Sequence, residues 1–200
     1  MTLLQTMMDS LKPSPAGRLT AQKVCVAGGT GTGKTVWACA LAVSYRDGTI
    51  LPDGGHPRVW TLDVDGQCAW AASPGCRTWR LLPMLNQNGD DRGMPADILR
   101  TKPGDLLIVD EAHLYGAGDA LAAFVQLLRR SRPWGVHVVY TTQRPQALPP
   151  DATSLATWHC LFRMSEARDR ARFADRAPAQ AIDRVCQDYN KRLFVLARGA

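Results

Sequence analysis

The sequence predicts an α/β fold, a mainly parallel sheet covered by helices on both faces. Three observations predict it. Short apolar runs at 24–27, 106–109 and 136–140 are flanked by glycine-rich or acidic segments, as buried parallel strands are. Segments with helical spacing of apolar residues alternate with these runs, the order that builds βαβ units. The first run also passes directly into a glycine-rich loop and then a helix. A chain of 200 residues suits one such domain. The expected division is an N-terminal amphipathic helix and linker at 1–20, then the α/β domain at 21–200.

Leu3, Leu4, Met7, Met8 and Leu11 fall at helical spacing, and Pro13 and Pro15 end that helix. Its apolar face can pack on the domain's own core or dock on a partner. The run Val24, Cys25, Val26, Ala27 reads as the first strand, and 35–45 as the helix after the loop. A turn-rich connection at 48–57 leads to a second strand at 58–62. Asp63 and Asp65 then follow, either as a turn or as acids at the carboxyl end of the sheet.

Between 66 and 104 the pattern is faint: a short strand at 77–82, a loop at 86–93 and a helical turn at 95–100. Residues 106–109 are wholly apolar, which suits a central parallel strand. A helix over 119–132 places Leu121, Phe124, Val125 and Leu128 on one face, with Asp119 as its N-cap. Strands at 136–140, 158–163 and 193–197 and helices at 165–174 and 178–187 complete the reading.

The stretch VCVAGGTGTGKT carries the chemistry. Its Gly28-x-x-x-x-Gly33-Lys34-Thr35 pattern is a complete phosphate-binding loop. Gly28, Gly29, Gly31 and Gly33 let the backbone curl until successive N–H groups, those of Thr30 and Thr32 included, point into one concavity. The helix beginning near Lys34 adds its positive dipole end. Lys34 is placed to reach the β and γ oxygens of ATP, and the Thr35 hydroxyl to ligate Mg2+.

The strand Leu106-Leu107-Ile108-Val109 delivers two adjacent carboxylates. Asp110 suits the Mg2+ partner of the loop, and Glu111 a base that orients or deprotonates an attacking water. An acid beside the metal acid points to hydrolysis. Gln143 ends the next strand, where a parallel sheet sets it between the other two sites. A neutral amide there can sense the γ-phosphate by gaining or losing a hydrogen bond.

A formal charge of +6, carried mostly by Arg, fits an anionic partner or simply a soluble basic surface. Six cysteines with no C-x-x-C spacing read as reduced structural thiols. The N-terminus lacks a basic region followed by an apolar core, so it does not read as a signal peptide, and no run approaches a membrane span. The expectation is a cytoplasmic-type chain.

The combination GGTGTGKT, LLIVDEAH, then RSRPWGVHVVYTTQRP and a later strand with a mixed-charge helix resembles the FtsK/HerA superfamily of ring-forming ATPases. The likeness spans about 22–176 and extends to the closing strand. It implies a P-loop NTPase fold of the RecA/ASCE type. It also implies a homo-oligomeric ring, expected to be a hexamer, that translocates double-stranded DNA. Carried over by position, Lys34 and Thr35 hold phosphate and Mg2+, Asp110 is the metal acid, Glu111 the base and Gln143 the sensor.

The family also uses an arginine from a neighbouring subunit. Arg132 matches best, with Arg129 and Arg130 as rivals, although arginines there also complement a helix dipole. The chain shows no membrane helices, β-barrel or winged-helix reader beside the motor. Among relatives it therefore looks most like genome-packaging ATPases of membrane-containing icosahedral viruses. That reading adds a capsid or membrane-vertex protein as a partner, with the chain in the host cytoplasm or on the virion. Alternatives are a filamentous-phage-type assembly ATPase, a small nucleotide or metabolite kinase, and a nucleotide-gated adaptor.

Overall fold

The structure, a computed structural model, describes residues 3–14, 17–62, 76–79, 101–115, 118–187 and 194–198. In chain order the elements are α1 (Leu3–Leu11), β1 (Lys23–Ala27), α2 (Lys34–Gly48), β2 (Val59–Leu62), β3 (Cys76–Trp79) and β4 (Leu106–Val109). They continue with α3 (Gly118–Trp134), β5 (His137–Thr142), α4 (Pro150–Leu155), β6 (Trp158–Phe162), α5 (Ala167–Ala171), α6 (Ala179–Gln187) and β7 (Phe194–Arg198). The strands form one sheet in the order β3-β2-β4-β5-β1-β6-β7. All neighbours run parallel except β6 and β7. This is an α/β P-loop fold. The sequence readings at 63–66, 86–93 and 95–100 lie outside the described residues.

The central strands are apolar throughout because both of their faces are covered. Successive side chains alternate between two cores. Cys25, Leu107, Val109, Val138 and Tyr140 face the layer of Phe124, Leu127 and Leu128 from α3, with Phe173 beyond it. Val24, Val26, Ile108, Val139 and Cys160 face Trp37, Leu41 and Tyr45 of α2. Phe124 meets Tyr140 edge-on at 5.5 Å between ring centroids, and Trp37 meets Phe162 at 6.5 Å.

Met7, Met8 and Leu11 of α1 belong to the second core, so the apolar face of that helix is covered by the domain itself. Burying such side chains stabilises the fold by about 1.5–3 kcal/mol each. Cys25, Cys39 and Cys160 are buried free thiols. No helix among the described residues is long and apolar enough to cross a membrane.

Some element limits differ from the sequence reading. The α3 helix begins at Gly118, so Asp119 lies in its first turn and is not the N-cap. At its other end Gly135 takes φ +69°, Val136 N donates to Ser131 O at 2.9 Å and Gly135 N to Arg132 O at 3.1 Å. This paired bonding terminates the helix on a left-handed residue. Gly135 O then accepts from Gly104 N at 2.8 Å, tying the start of β5 to the start of β4. Strand β5 runs on through Thr142, α5 is shorter than expected, and α4 is an element that the sequence reading did not include.

The same end of the sheet is held by a buried acid, Asp105, just before β4. Asp105 receives Arg58 Nη2 at 2.6 Å, Trp60 Nε1 at 3.1 Å and Lys102 N at 2.8 Å. Arg58 also stacks over the Trp60 ring at 5.1 Å. The carboxylate is satisfied from two segments, so it pins β2 to β4 where their hydrogen bonding begins.

Candidate functional site

Strands β4, β5 and β1 are adjacent and parallel, so their carboxyl ends open on the same edge of the sheet. That edge is where ligands bind in open α/β sheets. The loop after β1, Asp110 and Glu111 after β4, and Gln143 after β5 therefore converge there. Gln143 stands between the other two, as the sequence reading placed it.

The loop is fixed at its start by two backbone bonds. Gly28 N donates to Thr142 O at 3.2 Å, and Gly29 N to Arg163 O at 2.8 Å. A Cβ on Gly28 would lie 2.6 Å from Phe162 Cβ, so only glycine passes this close to β6. Gly31 and Gly33 adopt φ of +72° and +95°, and Gly33 leads into α2 with no side-chain cap. The N–H groups at the head of α2 therefore remain available to an anion. Thr32 Oγ1 donates to Gly29 O at 2.8 Å, and Lys34 Nζ donates to the same oxygen at 3.0 Å. The Lys34 ammonium thus lies along the loop and is almost fully buried. Burial lowers its pKa, and the charges of Glu111 and Asp110 act in the opposite direction.

Asp110 is 1 % exposed and accepts from Thr141 Oγ1 at 2.6 Å and from Thr35 Oγ1 at 3.2 Å, both through Oδ1. The Thr35 hydroxyl and the Asp110 carboxylate are hard oxygen donors side by side at the loop, a donor set that fits Mg2+ rather than a softer metal.

Glu111 has φ +48°, the only positive value among the described non-glycine residues. A non-glycine residue is held in that region only when its surroundings over-determine it, at a cost of order 1–3 kcal/mol. Here Glu111 N donates to Thr141 Oγ1 at 2.9 Å, and Leu114 N to Glu111 O at 2.9 Å closes the following turn. The twist directs the carboxylate towards Gln143. Gln143 Nε2 donates to Oε1, Gln143 N donates to Oε2 at 3.1 Å, and His113 Nδ1 lies 3.1 Å from Oε2. Burial alone would raise the Glu111 pKa, but the bonds from His113 and Gln143, with the Lys34 charge, bring it below the ordinary carboxylate value. Glu111 is accordingly an anion at neutral pH. Gln143 Oε1 in turn accepts from Thr30 Oγ1 of the loop.

The loop, Asp110, Glu111 and Gln143 thus form one bonded cluster. Arg132 is not part of it. Arg132 lies in the last turn of α3, and its charge acts on Lys23 at the start of β1, the end away from the loop. Arg129 pairs with Asp151, while Arg130 and Arg132 are exposed and in no ion pair among the described residues.

Solved structures with this architecture are known. The DNA-packaging ATPase B204 of Sulfolobus turreted icosahedral virus superposes with a TM-score of 0.59 over 92 % of this chain and 100 % of that one, at 13 % identity. The chain shares its fold with that ATPase. B204 from Sulfolobus turreted icosahedral virus 2, solved with AMP, gives 0.57 over 88 % and 92 % of the two chains at 14 % identity. The pCW3 conjugation coupling protein TcpA, solved with ATPγS, gives 0.56 at 13 % identity, covering 90 % of this chain and 58 % of its own. No protein-family model and no curated protein matches the sequence.

Sequence reasoning left two site residues without a role. His113 stood inside the quoted LLIVDEAH motif, and Thr141 inside TTQRP. Their partners lie about 30 positions away in the chain or across a left-handed turn, which periodicity does not record.

Proposed function

We propose that the chain is an ATP-hydrolysing motor core that translocates double-stranded DNA as a homo-oligomeric ring and packages a viral genome. The observation that carries the hydrolytic part is the bonded cluster joining Thr30, Gln143 and Glu111 beside Lys34, Thr35 and Asp110. The loop amides and Lys34 hold the polyphosphate, and buried Asp110 keeps the Thr35 hydroxyl in place. Thr35 and Asp110 would hold Mg2+, which when bound neutralises phosphate charge. Glu111 is ionised and takes the proton of the attacking water. A glutamate beside the metal acid supports water, not a small acceptor molecule, as the nucleophile.

The DNA part rests on the motif resemblance and is supported by the fold shared with B204 over nearly the whole of both chains. ATP turnover with and without double-stranded DNA, on material of measured mass in solution, tests the reading. Expected are an oligomer whose turnover rises with DNA and a Lys34→Ala variant without turnover. A monomer that ignores DNA and phosphorylates a small acceptor would favour the kinase reading.

A further inference from the structure

We infer that His113 is a positioning residue for hydrolysis, holding the Glu111 carboxylate in aim when Gln143 moves to the phosphate. The inference rests on the hydrolytic reading above. Glu111 Oε1 is bound by the Gln143 side chain, whereas Oε2 is bound by the Gln143 backbone N–H and by His113 Nδ1, each at 3.1 Å. These two sets of bonds have different fates. The Gln143 amide also touches Thr30 of the phosphate loop, so a γ-phosphate arriving there competes for it. If the amide turns to the phosphate, Oε1 is released and becomes available to a water. Oε2 must stay anchored, or the carboxylate swings away on its own torsions.

His113 is built to be that anchor. It sits in a 3-10 turn, Ala112–Tyr115, whose Ala112 and Tyr115 are buried, so its backbone is fixed by the core. Its side chain is only 14 % exposed. Thr142 Oγ1 lies 3.4 Å from the same ring nitrogen and itself accepts from Arg144 N at 3.1 Å, which limits rotation of the imidazole. With Nδ1 carrying its hydrogen, the ring donates to Oε2 through one defined atom.

That atom gives the test. An asparagine amide can set an N–H close to the position of Nδ1, a glutamine amide close to Nε2, and leucine sets none. Turnover of ATP is measured on the full chain, with binding of a fluorescent ATP analogue in parallel. His113→Leu and His113→Gln should lower kcat about 10- to 100-fold, because small misplacement of a reacting group costs that much. KM and analogue affinity should stay within about twofold, and His113→Asn within about threefold of the parent kcat. Placed in a Glu111→Gln background, His113→Leu should add no further loss, since it acts only through that carboxylate.

An asparagine variant no better than leucine would overturn the inference, as would an undiminished leucine variant or a full additional loss in the Glu111→Gln background. If the parent protein turns over no nucleotide, the hydrolytic reading itself fails. An active parent with indifferent His113 variants removes this inference alone.

Discussion

The side-chain amide of Gln143 connects the phosphate loop to Glu111, accepting from Thr30 Oγ1 and donating to Glu111 Oε1. Both ends of one neutral group are in use, so a change at the loop is felt at the carboxylate by exchange of a hydrogen bond. Removing the amide should separate binding from hydrolysis. Gln143→Ala is expected to bind an ATP analogue with near-parental affinity and to lose about 10- to 100-fold in kcat, the scale of a lost positioning contact. Equal losses in affinity and turnover would instead make Gln143 part of the binding surface.

Glu111→Gln keeps the size of the side chain and leaves Asp110 and Thr35 untouched. It should retain ATP binding and lose about 10²–10⁴-fold in turnover, the usual contribution of a general base. The carboxamide can no longer accept the Gln143 and His113 bonds in the same pattern, so a modest change in thermal stability should accompany it. Hydrolysis that merely tracks a loss of nucleotide binding would remove the proposed role.

The elements legible in the sequence were those whose burial is uniform. Leu106–Val109 is apolar at every position because the strand lies in mid-sheet, and its end delivers the two acids. The helix Pro150–Leu155 was not legible, since it has only 6 residues and opens on two prolines. Proline nevertheless suits a first helical turn, where its missing N–H has no partner to lose. Thr141 and Thr142 lie past the strand limits read at 136–140, yet they are buried strand residues whose hydroxyls bond to Asp110 and to Arg144 N. In the site, Glu111 was legible as a residue type, but its left-handed backbone and its contact with His113 arise only from the tertiary packing.

Stability should fall on mild acidification. His137 and His159 are fully buried, and burial lowers each pKa to about 4, with the Arg176 charge contributing at His159. Neither ring nitrogen of His159 has a hydrogen-bond partner among the described residues. The unfolded chain binds these protons near pH 6.5, so between about 6.5 and 4 it holds more protons than the fold does. Stability is therefore fully present above that window and is lost as pH falls through it. From pH 7 to pH 5 each histidine should cost about 2 kcal/mol. Urea unfolding at the two pH values checks this, and His159→Phe, which keeps the edge-on contact with Phe173, should show a shallower dependence.

An arginine acting from a neighbouring subunit would distinguish a ring motor from an enzyme that works alone. Arg132 ends α3, whose termination on Gly135 fixes where that turn lies. Its charge is felt by Lys23 at the first position of β1, while the phosphate loop begins beyond Ala27 at the other end. Four strand steps separate the two ends, about 13 Å, so Arg132 lies at the end of the sheet away from its own phosphate loop. An exposed guanidinium at that edge is suited to the site of an adjacent subunit, where a fixed fork of donors can meet developing charge. Arg132→Ala should therefore bind ATP normally and lose about 10³-fold or more in turnover, as arginine fingers do. Mixing it with Glu111→Gln subunits should restore part of the activity, because one kind of mixed interface pairs an intact site with an intact arginine. Arg129, engaged by Asp151, and Arg130 should be replaced in parallel. A confirmed oligomer in which all three single variants keep full activity would remove the trans arginine and leave the nucleotide site standing. An Arg132→Ala protein that is inactive but gains nothing on mixing would place the arginine's action within its own subunit.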